Sequence, residues 1–305
     1  MKRAVVFAYH DVGVRCLQVL LSRGVDITLV ITHRDNPLEN IWFASVAALC
    51  RDYGLPCIEP EDPNAPDVVA QIRALAPDLL FSFYYRHLLK ESLLSIPRTG
   101  AFNMHGSLLP KYRGRVPVNW AIIHGETETG ATLHVMNAKP DNGPVVDQCA
   151  VPILINDTAA EVFVKVAVAA EICLHRALPG LLAGDYPCRP QDLARGAYFG
   201  GRKAEDGRMD PRLTALQMHN LVRAVTRPYP GAFIDTAAGR LVIWRTRLAA
   251  ASAAGHGTGL YRAHDQRHYL TAPAGGCLQL LDFEFNGKVN ALPGSGDSFN
   301  PFGNP

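Results

Sequence analysis

Paired cysteines are missing from this chain. The seven cysteines, at 16, 50, 57, 149, 173, 188 and 277, are scattered, odd in number and nowhere spaced as CxxC. A disulfide framework and a cysteine zinc site both need pairing, so neither is expected, nor is any other metal. A reducing, cytoplasmic setting is the simple expectation. A strong charge of either sign is missing too. Thirty Lys and Arg stand against 28 Asp and Glu, a net +2, which gives no support to a nucleic-acid partner gripped by a basic face. Long apolar runs are short of what a membrane needs. The first, 4–9, stops at His10-Asp11, too little for a signal-peptide core. The richest, 162–182, is interrupted by Lys165, Glu171, His175 and Arg176, so no membrane insertion is expected. The opening strand leads into Tyr9-His10-Asp11-Val12-Gly13 with no GxGxxG, which argues against a standard dinucleotide site.

What is present is a globular composition, 48% hydrophobic and 19% charged over 305 residues, long enough for two domains. The first two-thirds alternates short apolar runs with helical spacing. Strands are expected at 4–9, 27–31, 78–83 and 100–105, and helices from Val14 to near Gly24 and over 41–53, 68–76 and 88–96. That rhythm predicts an α/β, Rossmann-like, mostly parallel sheet with helices on both faces. Longer strands follow at 132–136 and 145–154. Thr158-Ala-Ala-Glu161 then reads as a capping box opening a helix that ends near Gly184. The Gly-, Pro- and charge-rich segment 185–210 reads as a domain boundary, giving a catalytic domain over 1–200. Residues 205–305 read as a small C-terminal β domain, barrel-like (OB-like), after a helix at 213–225.

In an open parallel sheet, ligands bind beyond the carboxyl ends of the strands. The strand at 100–105 ends in the least ordinary stretch of the sequence, Phe102-Asn103-Met104-His105-Gly106-Ser107-Leu108-Leu109-Pro110-Lys111-Tyr112-Arg113-Gly114-Arg115. Asn103 and His105 are i and i+2, so they share a face. An amide donor, an imidazole and a glycine turn at a strand end can hold an oxyanion and move a proton. Asp141, in the turn Lys139-Pro140-Asp141-Asn142-Gly143, either is a plain turn residue or approaches His105 and favours its protonated form. Lys111, Arg113 and Arg115 are either a solvated loop or an anion site. His10 at the first strand end either lines the pocket or serves the turn.

The run Phe-Asn-Met-His-Gly-Ser-Leu-Leu-Pro-Lys-Tyr-Arg-Gly at 102–114, with Pro-Asp-Asn-Gly at 140–143, resembles the folate-dependent formyltransferases, and does so over nearly the whole chain. The resemblance implies catalytic roles for Asn103, His105 and Asp141. It implies a 10-formyltetrahydrofolate co-substrate lying along His87, Leu88, Leu89, Arg115 and the loop Asn137, Ala138, Lys139, Pro140. Residues 7–11, 32–37, 81–88 and 222–233 narrow the likeness to the formyltransferase half of the bifunctional polymyxin-resistance enzymes. That implies a UDP-linked amino sugar, UDP-4-amino-4-deoxy-L-arabinose, as partner, with His10, Lys111 and Arg113 as candidate contacts. A tRNA acceptor is disfavoured: residues 34–67 hold two cations, Arg34 and Arg51, against seven acids.

Overall fold

The computed structural model describes residues 2–250, 259–263, 266–290 and 298–302. In chain order its first elements are β1 (Arg3–Ala8), α1 (His10–Ser22), β2 (Asp26–Ile31), α2 (Val46–Tyr53), β3 (Cys57–Ile58), α3 (Pro66–Leu75), β4 (Leu79–Phe83), α4 (Glu91–Leu94) and β5 (Gly100–His105). Then come β6 (Arg113–Gly114), α5 (Pro117–Ile123), β7 (Glu128–Val135), β8 (Val145–Pro152), α6 (Ala159–Ala183) and β9 (Tyr198–Phe199). The last part holds α7 (Ala215–Val225), β10 (Ala232–Thr236), β11 (Gly239–Ala249), β12 (Gly259–Arg262), β13 (His268–Thr271), β14 (Cys277–Phe285), β15 (Lys288–Val289) and β16 (Ser298–Phe299).

These elements form two compact units. The first comprises Met1–Pro117, Glu128–Pro152 and Phe163–Gly200. Its seven-stranded sheet runs β3-β2-β1-β4-β5-β7-β8. The five strands from β3 to β5 are parallel, as their continuous apolar runs imply, while β7 and β8 are antiparallel. Val5, Phe7 and Leu80 pack with Val68, Ile72 and Leu93 of α3 and α4 on one face. On the other face α1 lies so close that a Cβ on Gly13 would be 3.2 Å from Ala8 Cβ and Val46 Cγ2. The carboxyl ends align: Ala8 is level with Phe83, and Phe83 with Met104, so Tyr9-His10, Tyr84-Tyr85 and His105-Gly106 emerge side by side.

Several sequence expectations are corrected. The helix read at 41–53 begins only at Val46, because Ser45 caps it by accepting from Ala48 N, and it ends on left-handed Gly54. The helix read at 88–96 shrinks to Glu91–Leu94. The Thr158–Glu161 capping box is present, with Thr158 N donating to Glu161 Oε2 at 2.8 Å. The helix it opens, α6, is long and apolar enough to cross a membrane by length and composition alone, with mean hydropathy 1.5 over its richest window. Its Val166, Ala170, Cys173, Leu174 and Leu178 are fully buried, the pattern of a core helix.

The second unit comprises Gly201–Pro305 together with Val118–Thr127 and Ile153–Val162, two excursions that a boundary drawn at one point in the sequence does not capture. Its sheet is an antiparallel half-barrel, ordered β10-β11-β14-β13-β12-β16. No β10–β16 pairing closes it among the described residues. Arg223 of α7 is 5% exposed and donates to Asn220 Oδ1 and to the carbonyls of Leu154 and Asp157, tying the 153–162 excursion to α7.

Candidate active site

Strand register brings the site together. Asn103 of β5 stands opposite His134 of β7, and His105 opposite Thr132. Paired residues share a face, so Asn103, His105 and His134 converge. The loop after β5 is fastened by its own bonds. Ser107 Oγ donates to Lys111 O at 2.6 Å, Thr132 Oγ1 to Ser107 O at 2.6 Å, and Gln148 Nε2 to Leu109 O at 2.9 Å. That loop carries the Tyr112 carbonyl to 2.8 Å from His105 Nε2. A carbonyl only accepts, so Nε2 bears the proton. Nδ1 is then turned toward Asp141 Oδ1 at 3.5 Å.

Asp141 sits at φ 56 in the turn between β7 and β8. Its Oδ2 accepts from Gly114 N at 2.8 Å, and its Oδ1 lies 3.6 Å from His134 Nε2 as well as near His105. Burial works against ionisation here. The neighbouring His105 and the Gly114 amide outweigh it and hold the carboxyl well below the usual range. Asp141 is therefore a carboxylate at every physiological pH.

His134 is absent from the site inferred from sequence. Its Nδ1–H donates to Val135 O at 2.9 Å, which leaves Nε2 as an acceptor for Asn103 Nδ2 at 3.1 Å. That bond fixes which end of the Asn103 amide is which and keeps its second N–H available. The only sequence signal was alternation along β7, and it needed the antiparallel register to acquire meaning.

Other candidate residues are placed differently. Arg113 directs Nη1 to Asn142 Oδ1 and Nη2 to the carbonyls of Leu193 and Gly196, while its buried Nε has no hydrogen-bond partner among the described residues. Lys111 and Arg115 are exposed, and Arg115 N donates to Phe199 O at 2.9 Å. His10 lies in an aromatic cluster, stacked on Phe43 at 3.9 Å with the edges of Trp42 and Phe163 around it. Burial lowers its pKa, so it is a neutral packing group. Leu88 is 68% exposed, whereas the Leu89 side chain belongs to the core, leaving only its backbone for a ligand. His87 is exposed, and its ring meets His33 edge-on at 4.9 Å. In the loop 137–140, Asn137 Oδ1 accepts from Lys139 N at 3.0 Å, and residues 137–139 are exposed.

Left-handed non-glycine residues concentrate here: His10, Tyr84, Tyr112, Val116 and Asp141 have φ between 48 and 67. Each conformation costs roughly 1–2 kcal/mol and persists only where surroundings over-determine it, as at functional sites. Tyr84 illustrates this. A Cβ on Gly106 would lie 1.8 Å from the Tyr84 hydroxyl. Gly106→Ala is expected to lower stability by about 1–3 kcal/mol through forced displacement of Tyr84. Thermal denaturation checks this, and an unchanged midpoint contradicts it.

His33 gives the site's rim a pH dependence. Its ring stacks on Tyr85 at 4.0 Å, and Nε2 accepts the Arg86 N–H at 3.0 Å, which requires a neutral ring. Burial, with His87 and Arg86, lowers its pKa to about 4. The unfolded chain takes up this proton near pH 6.5 and the fold does not. The stabilisation is therefore complete above about 6.5 and lost progressively as pH falls to about 4. Over that window the melting temperature is expected to fall more steeply than in His33→Gln, whose amide oxygen can still accept from Arg86. Equal slopes contradict the assignment.

Comparison with known proteins supplies the family. A model described as formyl transferase matches residues 3–178, and one described as formyl transferase, C-terminal domain, matches residues 202–292. Among solved structures, an N-formyltransferase from Helicobacter canadensis, in complex with folinic acid and dTDP-3-aminofucose, is 20% identical with a TM-score of 0.68, over 92% of this chain and 98% of that one. A 4-N formyltransferase from Francisella tularensis is 19% identical with a TM-score of 0.62, over 77% of this chain and 93% of that one. HypX from Aquifex aeolicus, in complex with tetrahydrofolic acid, is 16% identical with a TM-score of 0.62, over 93% of this chain but 44% of that one.

Proposed function

Since the chain belongs to the formyl transferase family, we propose that it transfers the formyl group of 10-formyltetrahydrofolate, in the cytoplasm, to the 4-amine of UDP-4-amino-4-deoxy-L-arabinose, a step toward lipid A modification and polymyxin resistance. The observation that carries the chemistry is the convergence of part-buried Asn103, buried His105 and ionised Asp141 at the carboxyl end of β5. A sugar amine as acceptor is supported by the solved neighbours, one of which holds folinic acid and a dTDP-amino sugar. The choice of UDP-arabinose rests on the sequence resemblance, and the acidic 34–67 stretch weighs against tRNA.

The residues present fit a folate. Two loops of exposed residues, 86–88 and 137–139, follow β4 and β7. Beside His87, the Tyr85 hydroxyl is buried with no hydrogen-bond partner among the described residues. A pterin, flat and rich in donors and acceptors, suits such groups.

When bound, the formyl-folate supplies an activated formyl carbon. The free N–H of Asn103, its amide oriented by His134, donates to the formyl oxygen as negative charge grows there. Losing one such donor costs roughly 10²–10³ in rate. His105 takes the proton from the attacking amine at Nδ1, the nitrogen that Tyr112 leaves unoccupied, and then delivers it toward the leaving nitrogen. Asp141 balances the imidazolium charge throughout.

A second reading, a dTDP-linked amino sugar, is favoured by the Helicobacter neighbour. Formyl transfer measured against UDP- and dTDP-linked amino sugars and initiator tRNA separates the readings. Turnover confined to dTDP-sugars sinks the arabinose assignment, and formate release without any amine points to hydrolysis instead.

A further inference from the structure

Read as sequence, 185–210 is a linker; in the fold, residues 189–199 wrap the turn that carries Asp141. Arg189 exchanges two backbone bonds with Val145, at 2.8 and 2.9 Å. β9 pairs in parallel with β6, whose Gly114 N–H holds Asp141 Oδ2. The Gln191 side-chain amide donates to two carbonyls, Asp141 O at 2.9 Å and Gly143 O at 2.6 Å. The turn lies tight against β7 and 189–199 against the loop after β5: a Cβ on Gly143 would fall 1.7 Å from Val135 O, and one on Gly196 1.9 Å from Pro110 O.

We propose that Gln191 is a positioning residue for Asp141. Asp141 holds a left-handed conformation that a non-glycine residue resists. Its carboxylate is aimed by Gly114, but that aim depends on the turn's backbone being fixed, and the two N–H donors of Gln191 fix it on both sides of Asn142. An amide NH₂ serves two carbonyls from one atom without bringing a charge to the turn. A carboxylate at the same place repels both, and an alkyl chain satisfies neither. Arg113 grips the intervening residue, Asn142 Oδ1 at 2.8 Å, so the turn is held at three successive residues. The inference rests on the proposed role of the Asp141 carboxylate beside His105.

The test compares Gln191→Leu and Gln191→Glu with the unaltered protein, in formyl-transfer kinetics and in crystal structures. A misplacement of about 1 Å typically costs up to about a hundredfold. Gln191→Leu is therefore expected to lose roughly ten- to a hundredfold in kcat, with both KM values little changed. Gln191→Glu is expected to recover part of its kcat as pH falls from 8 to 5, as its carboxyl gains a proton and one donor, while Gln191→Leu shows no such recovery. An unchanged kcat in Gln191→Leu, or no difference between the two pH profiles, overturns the inference. If the unaltered protein formylates no amine, the functional reading fails and the crystal structures decide this point alone. An Asp141 carboxylate still seated against His105 and His134 in Gln191→Leu overturns positioning; a displaced one supports it.

Discussion

His105→Ala is expected to lower kcat by roughly 10²–10⁴, the usual worth of a positioned proton carrier, with little change in the KM for the folate. His105 is 6% exposed, and its Nε2–H satisfies the Tyr112 carbonyl. Removing the ring therefore also takes away the Nε2–H donor to that buried residue's carbonyl, at a cost of about 1–3 kcal/mol. A second variant separates the two effects. His105→Gln keeps an amide donor for Tyr112 but cannot carry a proton, so it should fold better than the alanine variant and turn over no faster. If the glutamine variant keeps near-normal kcat, proton transfer by His105 is refuted. In that event Asn103 remains the group to examine, because its donor to the formyl oxygen does not depend on His105.

Arg223→Ala should give the largest stability loss in the second unit, about 3–5 kcal/mol. The guanidinium is buried and meets three oxygens, Asn220 Oδ1 at 3.0 Å, Leu154 O at 3.3 Å and Asp157 O at 3.1 Å. Truncation removes the donor from buried Asn220 Oδ1 and from the part-buried carbonyls of Leu154 and Asp157 on a second chain segment, and a buried acceptor that loses its donor costs more than a bond contributes. Arg223→Lys keeps the charge but loses the fork that reaches separate oxygens, so it should recover only part. Urea denaturation followed by Trp fluorescence measures both. A shift below about 1 kcal/mol for the alanine variant would show that 153–162 holds to α7 through its apolar contacts alone.

The parallel core was legible because strands buried on both faces read as unbroken apolar runs: 4–9 and 78–83 are seen as β1 and β4 without other help. β3 was not legible, since two residues carry no period. Nor was α5, whose seven residues fall where the pattern had lapsed. At the site, Asn103 and His105 share one strand, so their i, i+2 spacing was informative. Asp141 and His134 reach them only through the β5–β7 register, and Gln191 reaches Asp141 across 50 residues of chain. Local pattern is silent about such distances. The same holds for Arg113, whose protein acceptors lie 29, 80 and 83 residues away along the chain.

The excursions 118–127 and 153–162 belong to the second unit while their flanking residues belong to the first. No single cut in the chain therefore yields two complete parts. Pieces ending and starting near residue 200, supplied in trans, would each lack partners: the long piece would carry Leu154 and Asp157 without the guanidinium that meets their carbonyls, and the short one Arg223 with Asn220 alone of its three acceptors. A genetic exchange with a related gene at that point would pair one parent's excursions with the other parent's α7. Chimeras should tolerate such a junction only where both parents supply matching residues at 153–157 and 220–223, or where all three segments of the second unit are exchanged together.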